Sequence, residues 1–389
     1  MTITADGATE RRVPGQVSAE DTEAAVDAFA ERVLGAVLGA QETIALYLGD
    51  RLGWYAALAR HEGGLTSAEL AEATGTDERY AREWLEHQAV AGYLTVDLTA
   101  DLTAGDGAAA SPTTRRYRLP AAHAEVLANP DSPAYMTPIG RFVAATGRQL
   151  DALAEAYRTG GGVSWQQFGA DVREAQAAAN RPLFLHSLGQ ELLPSVPDIH
   201  DRLSRGARVA DIGCGAGWSS IGIALAYPNV TVDGFDVDTE SVRMAERNAA
   251  EYQVADRVSF ADTDGAALGS AAAGSYDLVF AFECIHDMSD PVAVLAAARR
   301  LLADGGYMIV MDERAEETFT APGSEVERLL YGYSITCCLP DGLSHRPSVG
   351  TGTVMRPDTL AGYAAAAGFS RTEVLDIEHD FFRFYRLIP

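Results

Sequence analysis

Three glycines at alternate positions, accompanied by two acidic residues, have the clearest chemistry in this sequence. Gly213, Gly215 and Gly217 follow Asp211, and Asp236 stands nineteen residues beyond the last glycine. Glycines let a ligand approach the backbone closely, because they carry no Cβ. A carboxylate such as that of Asp236 can accept hydrogen bonds from the hydroxyls of a ribose. This spacing therefore predicts a site for a nucleotide-type ligand.

A second group of polar residues has the chemistry for moving a proton. Glu283, His286 and Asp287 share one short segment, and Asp312 and Glu313 form an acidic pair further along. A neutral imidazole is the natural base near pH 7, and a carboxylate can orient it. His286 is therefore a candidate general base. The alternative is that His286 only caps the following helix or contacts a cofactor.

These residues require a sheet that brings their segments together. Short apolar runs separated by helical patterns predict parallel strands joined by helices. The predicted strands cover residues 208–212, 230–237, 257–264, 276–280, 307–310, 372–377 and 381–387, with helices at 218–227 and 357–367. Ligands bind in the crevice at the carboxyl ends of such strands, next to helix N-termini. The predicted fold class is α/β, with a Rossmann-like seven-stranded domain over residues 201–389.

The order of these segments resembles that of class I S-adenosylmethionine-dependent methyltransferases. The alternative is a nicotinamide dehydrogenase, whose dinucleotide site reads G-x-G-x-x-G. Trp218 stands where the third glycine of that pattern belongs, which disfavours this alternative. The resemblance rests on Asp211–Gly217, Arg257–Asp264, Tyr276–Phe280 and Leu301–Val310. It implies S-adenosyl-L-methionine as the cofactor. The residues that it implies for cofactor binding are Asp211, Gly213, Gly215, Gly217, Asp236, Val237, Asp264 and Glu283.

The first 130 residues carry a different pattern, which predicts an α-rich winged helix. Residues 18–60 read as helix, residues 65–85 as a helix, a glycine turn and a helix, and residues 91–96 and 116–119 as wing strands. The side chains expected to face inward are Leu70, Ala71, Tyr80, Trp84 and Leu85. The pattern resembles the module that precedes many small-molecule methyltransferase domains, where it dimerises and walls the substrate site. It implies a homodimer through residues 20–60.

The charge of the chain limits its partners. The net charge is −25, all 30 basic residues are arginine, and no lysine occurs. Chemistry that needs lysine, such as Schiff-base formation or a Walker A site, is excluded. Residues 1–130 hold twenty acidic residues against ten arginines, and such a surface repels phosphate backbones and anionic lipids. Neither nucleic acid nor a membrane is an expected partner, although a winged helix by itself suggests DNA binding.

The predicted domains are residues 1–19 as a disordered terminus, 20–130 as the winged-helix dimerisation domain, 131–200 as a helical connector and lid, and 201–389 as the cofactor-binding domain. Glycines 160–162 suit either a hinge or a plain loop. The insert at residues 324–354 is expected to form a substrate wall. The expected pocket residues are Trp165, His186, Trp218, Tyr331 and Tyr333. Four cysteines without a C-x-x-C pair fit a reduced, cytoplasmic location.

The whole chain resembles a group of actinobacterial class I methyltransferases with an N-terminal winged helix. The residues that carry this wider resemblance are Tyr47–Gly53, Arg82–Leu85, His286–Met288 and Tyr331–Cys338. It implies methyl transfer to a small molecule, by O- or N-methylation in secondary metabolism. We expect His286 and Glu313 to be catalytic, and no metal, because metal-dependent relatives carry a fuller acidic set. Two alternatives stay open: an S-adenosylmethionine-binding enzyme of another chemistry, and a cofactor-sensing regulator.

Overall fold

In a computed structural model, the protein is described over residues 19–98, 111–268 and 273–389. The predicted disorder of residues 1–18 and most of the predicted wing loop, at residues 99–110, lie outside the described residues. Over the described ranges, no helix is both long enough and apolar enough to cross a membrane.

The N-terminal region has the arrangement of a winged helix. Its elements are α1 (Ala19–Arg51), α2 (Trp54–Ala59), α3 (Ser67–Thr74), α4 (Glu78–Val90), β1 (Thr95–Asp97), β2 (Arg116–Arg118) and α5 (Ala121–Leu127). Thr66 caps α3, Gly75 ends it with a φ of 66°, and Asp77 accepts two backbone N–H bonds at the start of α4. These three residues fix the turn between the two helices. β1 and β2 pair antiparallel, with Val96 opposite Tyr117.

The buried face of this helix pair differs from the prediction at one position. The residues that are buried as expected are Leu70, Ala71, Trp84 and Leu85. Tyr80 is 76% exposed, so its expected inward orientation is wrong. The buried stripe of α4 begins at Ala81 and continues at helical spacing. Tyr80 precedes that stripe by one residue, which rotates its side chain by about 100° around the helix axis.

The connector is helical, as predicted. It contains α6 (Thr137–Thr146), α7 (Leu150–Thr159), α8 (Trp165–Phe168), α9 (Ala170–Pro182), a π-helical segment at Leu183–Leu192, and α10 (Pro197–Ser204). A Cβ on Gly162 would lie 2.3 Å from the carbonyl oxygen of Pro340, and Val163 N donates to the same oxygen at 3.0 Å. The glycine segment is thus packed closely against the insert, which favours a tight loop over a free hinge.

A seven-stranded sheet forms the C-terminal half. Its strands are β3 (Arg208–Ile212), β4 (Thr231–Asp236), β5 (Val258–Asp262), β6 (Tyr276–Phe282), β7 (Leu302–Glu313), β8 (Arg371–Val374) and β9 (Phe382–Ile388). The spatial order is β5-β4-β3-β6-β7-β9-β8. The first five strands are parallel and β9 is antiparallel to β7 and β8. The strand order reverses between β3 and β6, which is where an open α/β sheet binds its ligand.

Helices cover both faces of the sheet. They include α11 (Trp218–Ala226), α12 (Thr239–Glu251), α13 (Pro291–Leu301) and α16 (Pro357–Ala366). One apolar core lies between the sheet and α11 with the 183–192 segment, and a second lies beneath α13 and α16. The insert after β7 contains α14 (Glu325–Tyr333), a π-helical turn at Ser334–Cys338 and α15 (Leu339–Gly342). This arrangement is the α/β fold that the sequence predicts.

Candidate active site

The glycine loop after β3 closes around the end of β4. Gly217 has a φ of 79°, and a Cβ there would lie 2.6 Å from the Phe260 ring, so only glycine fits. Gly215 has a φ of 51°, and a Cβ there would have no other atom within 4 Å. Its N–H donates to Asp236 Oδ2 at 2.8 Å. The loop therefore joins the two strand ends and leaves open space above Gly215.

Asp211, at the end of β3, is buried with an unused hydrogen-bonding atom. The hydroxyls of Ser219 and Ser220 both donate to its Oδ2 at 2.6 Å. Within the described part of the chain, its Oδ1 has no hydrogen-bond partner. Burial raises the pKa of Asp211 to about 6, although the two hydroxyls act in the opposite direction. Such an orphaned carboxylate oxygen fits a cationic ligand group, since burial without a partner is costly.

Asp236 is held by the backbone on both sides. Its Oδ1 accepts from Asp238 N at 2.9 Å, and burial raises its pKa. Arg173 of α9 forms a bidentate ion pair with Asp238, at 2.5 and 3.1 Å, so α9 is fastened to this loop. Val237 is exposed directly after Asp236. Asp264 is exposed on the next strand end, where it accepts from Ala266 N.

Glu283, directly after β6, adopts a strained conformation. Its φ is 54°, which is unusual for a residue other than glycine. Its Oε2 lies 3.5 Å from Gln176 Nε2 of α9, and among the described residues Oε1 has no partner. Burial and the negative charge of Glu313 raise the pKa of Glu283 well above its usual value. Backbone strain of this kind is concentrated at functional sites.

His286 lies at the centre of a buried acidic cluster. Its Nδ1 is 2.8 Å from Asp312 Oδ1 and 3.0 Å from Glu313 Oε2, and its Nε2 is 3.3 Å from Asp287 Oδ1. Burial by itself lowers the pKa of His286, but Asp287, Glu313 and Asp312 raise it well above the usual value. Burial raises the pKa of Glu313 to about 7. The sequence suggests a base that titrates near neutrality, whereas the three surrounding carboxylates move the pKa of this imidazole upward.

The histidine segment touches the glycine loop. Cys284 Sγ donates to the carbonyl oxygen of Ile212 at 3.2 Å, and a Cβ on Gly213 would lie 2.7 Å from the Cys284 side chain. The two sets of residues that the sequence singles out are therefore neighbours at the carboxyl edge of β3 and β6. This contact places a candidate base beside a candidate cofactor site.

Two of the expected pocket residues lie together near the insert. Trp165 and Tyr333 both pack on an apolar cluster that contains the adjacent cysteines of the insert. Trp165 N donates to Asp341 Oδ1 at 2.7 Å, and the Tyr333 ring meets Phe142 edge-on at 5.7 Å. Tyr331, on the same helix as Tyr333, is 39% exposed. The insert therefore packs against the helical connector, and Tyr331 is partly exposed on α14.

The other two expected pocket residues point elsewhere. Trp218 packs edge-on against Tyr252, and the Arg181 guanidinium lies 5.5 Å from its ring centre. The His186 side chain is 48% exposed and lies 3.4 Å from Asp131. Neither has a described contact with the His286 cluster. His186 lies on the π-helical segment at Leu183–Leu192, and its role in the pocket stays a prediction.

Sequence reasoning missed several residues that the fold brings to this site. They are Arg173, Gln176 and Asn180 on α9, together with Cys338 beside His286. Cys338 lies 52 residues away on the insert, and no spacing rule connects it to the histidine.

Comparison with known proteins agrees with this architecture. Residues 203–337 match the model of a methyltransferase domain, and residues 40–129 match that of an Rv2258c-like winged HTH domain. The ubiquinone biosynthesis O-methyltransferase of Ralstonia nicotianae is 28% identical over 178 residues, which are 45% of this chain and 68% of that protein. Its counterpart in Paracidovorax citrulli is 33% identical over 104 residues, covering 27% of this chain and 42% of the relative.

Similar solved structures span nearly the whole chain. Mitomycin 7-O-methyltransferase MmcR has a TM-score of 0.69 at 22% identity, covering 94% of this chain and 99% of that one. Human N-acetylserotonin methyltransferase, in complex with SAM, has a TM-score of 0.66 at 19% identity, covering 92% and 97%. These identities establish a shared fold. The matched models show that the chain carries a methyltransferase domain at residues 203–337, preceded by an Rv2258c-like winged HTH domain at residues 40–129.

Proposed function

We propose that this enzyme methylates a hydroxyl or amine of a small molecule of secondary metabolism, with His286 as the general base. The observation that carries the proposal is the contact between the His286 segment and the glycine loop, through Cys284 and Gly213. Structural neighbours that act in secondary metabolism, such as the mitomycin enzyme, support the class of acceptor. Formation of S-adenosylhomocysteine in a screen of phenols and amines tests it, and a failure to bind the cofactor would contradict it.

The cofactor is proposed to lie between the glycine loop and α9. The unpartnered Oδ1 of Asp211 suits the ammonium group of the cofactor. The open space above Gly215 leaves room for the cofactor to approach the backbone of the glycine loop. A carboxylate offers about four acceptor positions, so Asp236 can keep its two backbone bonds and still accept from ribose hydroxyls. Val237, Asp264 and Glu283 complete the proposed set of cofactor-binding residues. Val237 and Asp264 follow β4 and β5 and are assigned to the adenosine side, whereas Glu283 follows β6 and is nearer to His286.

Nδ1 of His286 faces Asp312, so the proposal assigns proton transfer to Nε2, which lies 3.3 Å from Asp287 Oδ1 and can take a proton only when the imidazole is neutral. The bound cofactor supplies an electrophilic methyl group. The acceptor oxygen or nitrogen would take up that methyl group in exchange for its proton, and His286 Nε2 would receive the proton. Asp312 and Glu313 then stabilise the charged imidazole.

The pH dependence of turnover tests this assignment. Carboxylates raise the pKa of His286, and the base works only when neutral, so kcat should rise with pH through a pKa above the usual value for histidine. Asp312→Asn removes one negative charge, and the rise should move to lower pH. The measurement is a kcat–pH profile for each protein. Glu317→Gln, at an exposed acid beyond β7, is the control and should keep the parental profile. A rise at the same pH in Asp312→Asn would contradict the base role.

We also propose that a second copy of the chain covers α1. Every residue from 21 to 41 is exposed, although this half of the helix carries a long apolar stripe. Its members, each at least half exposed, are Val26, Phe29, Val33, Leu34, Val37 and Leu38. An unpaired helix with such a stripe is unfavourable in water, and the stripe is self-complementary, so a homodimer pairs the same surface twice.

Light scattering tests the dimer. The parent should have twice the mass of one chain at micromolar concentration, and Val33→Asp combined with Val37→Asp should give monomers. Ala28→Asp lies on the opposite side of α1 by helical geometry and should leave the dimer intact. A monomeric parent, or dissociation by the control variant alone, would refute this interface.

A further inference from the structure

We propose that His286, Asp287 and Cys338 form a binding site for a soft divalent cation such as Zn²⁺, and that the bound ion inhibits methyl transfer. Metal binding stands on the geometry alone. Inhibition rests on the proposed function, because the ion would occupy the nitrogen that the general base needs. The expectation of no metal in the sequence depends on acidic residues alone, whereas Cys338 adds a thiol to the cluster.

The three donor atoms are close to each other. One imidazole nitrogen of His286, one carboxylate oxygen of Asp287 and the thiol sulfur of Cys338 lie within 4.8 Å of one another, and His286 Nε2 is 3.3 Å from Asp287 Oδ1. A tetrahedral Zn²⁺ with bonds of about 2.0–2.3 Å holds its ligand atoms about 3.5 Å apart. Nε2 and Oδ1 already have nearly that separation, and the Cys338 thiol lies within 4.8 Å of the donor atoms of His286 and Asp287.

The types of donor are those that zinc selects. Imidazole, carboxylate and thiolate are its usual protein ligands, and three of them leave a fourth position open for water. Cys338 is a free cysteine, and it ends the π-helical turn Ser334–Cys338. Single π-turns within helices are frequent at functional sites. This turn brings the thiol to the histidine from a segment remote in sequence.

An outer carboxylate already orients the histidine. Asp312 is 1% exposed, and its Oδ1 lies 2.8 Å from His286 Nδ1. A hydrogen bond from Nδ1–H to a carboxylate fixes the tautomer in which Nε2 carries the lone pair, and this arrangement is typical of metal-binding histidines. Asp312 and Glu313 approach Nδ1 at hydrogen-bond distance, so they serve as outer partners and Nε2 remains for the ion.

The charge of the cluster favours a cation. Among the described residues, Asp287 Oδ1, Asp312 Oδ2 and Glu313 Oε2 are buried atoms without a hydrogen-bond partner. The ion pairs described for these three carboxylates are all with His286, and none involves an arginine. Buried, uncompensated carboxylates are costly, and a divalent ion would offset them. Asp287 is 33% exposed, which leaves an access route from solvent.

Cobalt spectroscopy on the full-length protein, freed of metal by a chelator and without cofactor or acceptor, tests binding. Co²⁺ should produce a sulfur-to-cobalt charge-transfer band, and Zn²⁺ should abolish it with one ion bound per chain. Cys338→Ser should lose the band and bind Zn²⁺ at least about tenfold more weakly. Cys337→Ser, at the neighbouring cysteine, should retain both the charge-transfer band and the parental affinity for Zn²⁺. An absent band in the parent, or a band that survives in Cys338→Ser, would overturn the site.

Inhibition is measured separately, as the ratio of turnover with and without Zn²⁺ within each protein. The parent should lose activity and regain it with chelator, and Cys338→Ser should need at least about tenfold more Zn²⁺ for the same loss. If Zn²⁺ binds without lowering turnover, the inhibitory role is wrong, and the metal-binding site remains supported. A protein without methyltransferase activity would contradict the proposed function, while the cobalt experiment would still decide the metal site.

Discussion

Replacing His286 with alanine should lower kcat by about 10²–10⁴-fold and leave the Kd for S-adenosylhomocysteine nearly unchanged. The imidazole contacts Asp287, Asp312 and Glu313, and no described hydrogen bond joins it to the glycine loop. Its loss should therefore remove proton transfer and spare the cofactor site. Turnover assays and calorimetry on the same preparation measure the two effects.

His123→Ala is the matched control for this experiment. His123 is an exposed histidine whose Nδ1 lies 2.8 Å from the carbonyl oxygen of Tyr93 in the N-terminal region, so both kcat and Kd should stay at the parental values. If His286→Ala turns over within a factor of about three of the parent, proximity performs the catalysis and the histidine is structural. If cofactor affinity falls together with turnover, His286 belongs to the cofactor site, and Glu313 becomes the next candidate base.

Asp236→Ala should weaken cofactor binding by about 1.5–3 kcal/mol, which is a loss of roughly 10–150-fold in affinity. The substitution removes the proposed hold on the ribose. It also removes the acceptor for the N–H groups of Gly215 and Asp238, which shape the loop. Calorimetric titration with S-adenosylhomocysteine measures the effect.

Asp233→Ala is the control on the same strand. Asp233 pairs with Arg208 and accepts from Ser259 and Tyr276, at a distance of three residues from Asp236 along β4. The Asp233→Ala substitution should lower the free energy of unfolding. The folded protein should still bind S-adenosylhomocysteine with the parental Kd. Equal affinity in Asp236→Ala and the parent would remove Asp236 from the cofactor site.

Local patterns in the sequence determine much of this fold. The strand predicted at residues 208–212 has the same bounds as β3 (Arg208–Ile212). The helix predicted after the glycines begins at Trp218 as α11 does. These features depend on neighbouring residues only: the period of apolar side chains, a capping threonine such as Thr66, and a left-handed glycine such as Gly75. Interactions between residues close in sequence therefore determine the helices and strands and their order along the chain.

The surroundings of each reactive side chain depend on the tertiary structure. Parallel pairing of β6 with β7 brings Asp312 and Glu313 to His286, and the insert adds Cys338. The sequence shows a histidine near acids, but not that three carboxylates surround the ring, which decides the direction of its pKa shift. Electrostatic effects act through space over a few ångströms, and only the packed chain decides which residues lie within that range.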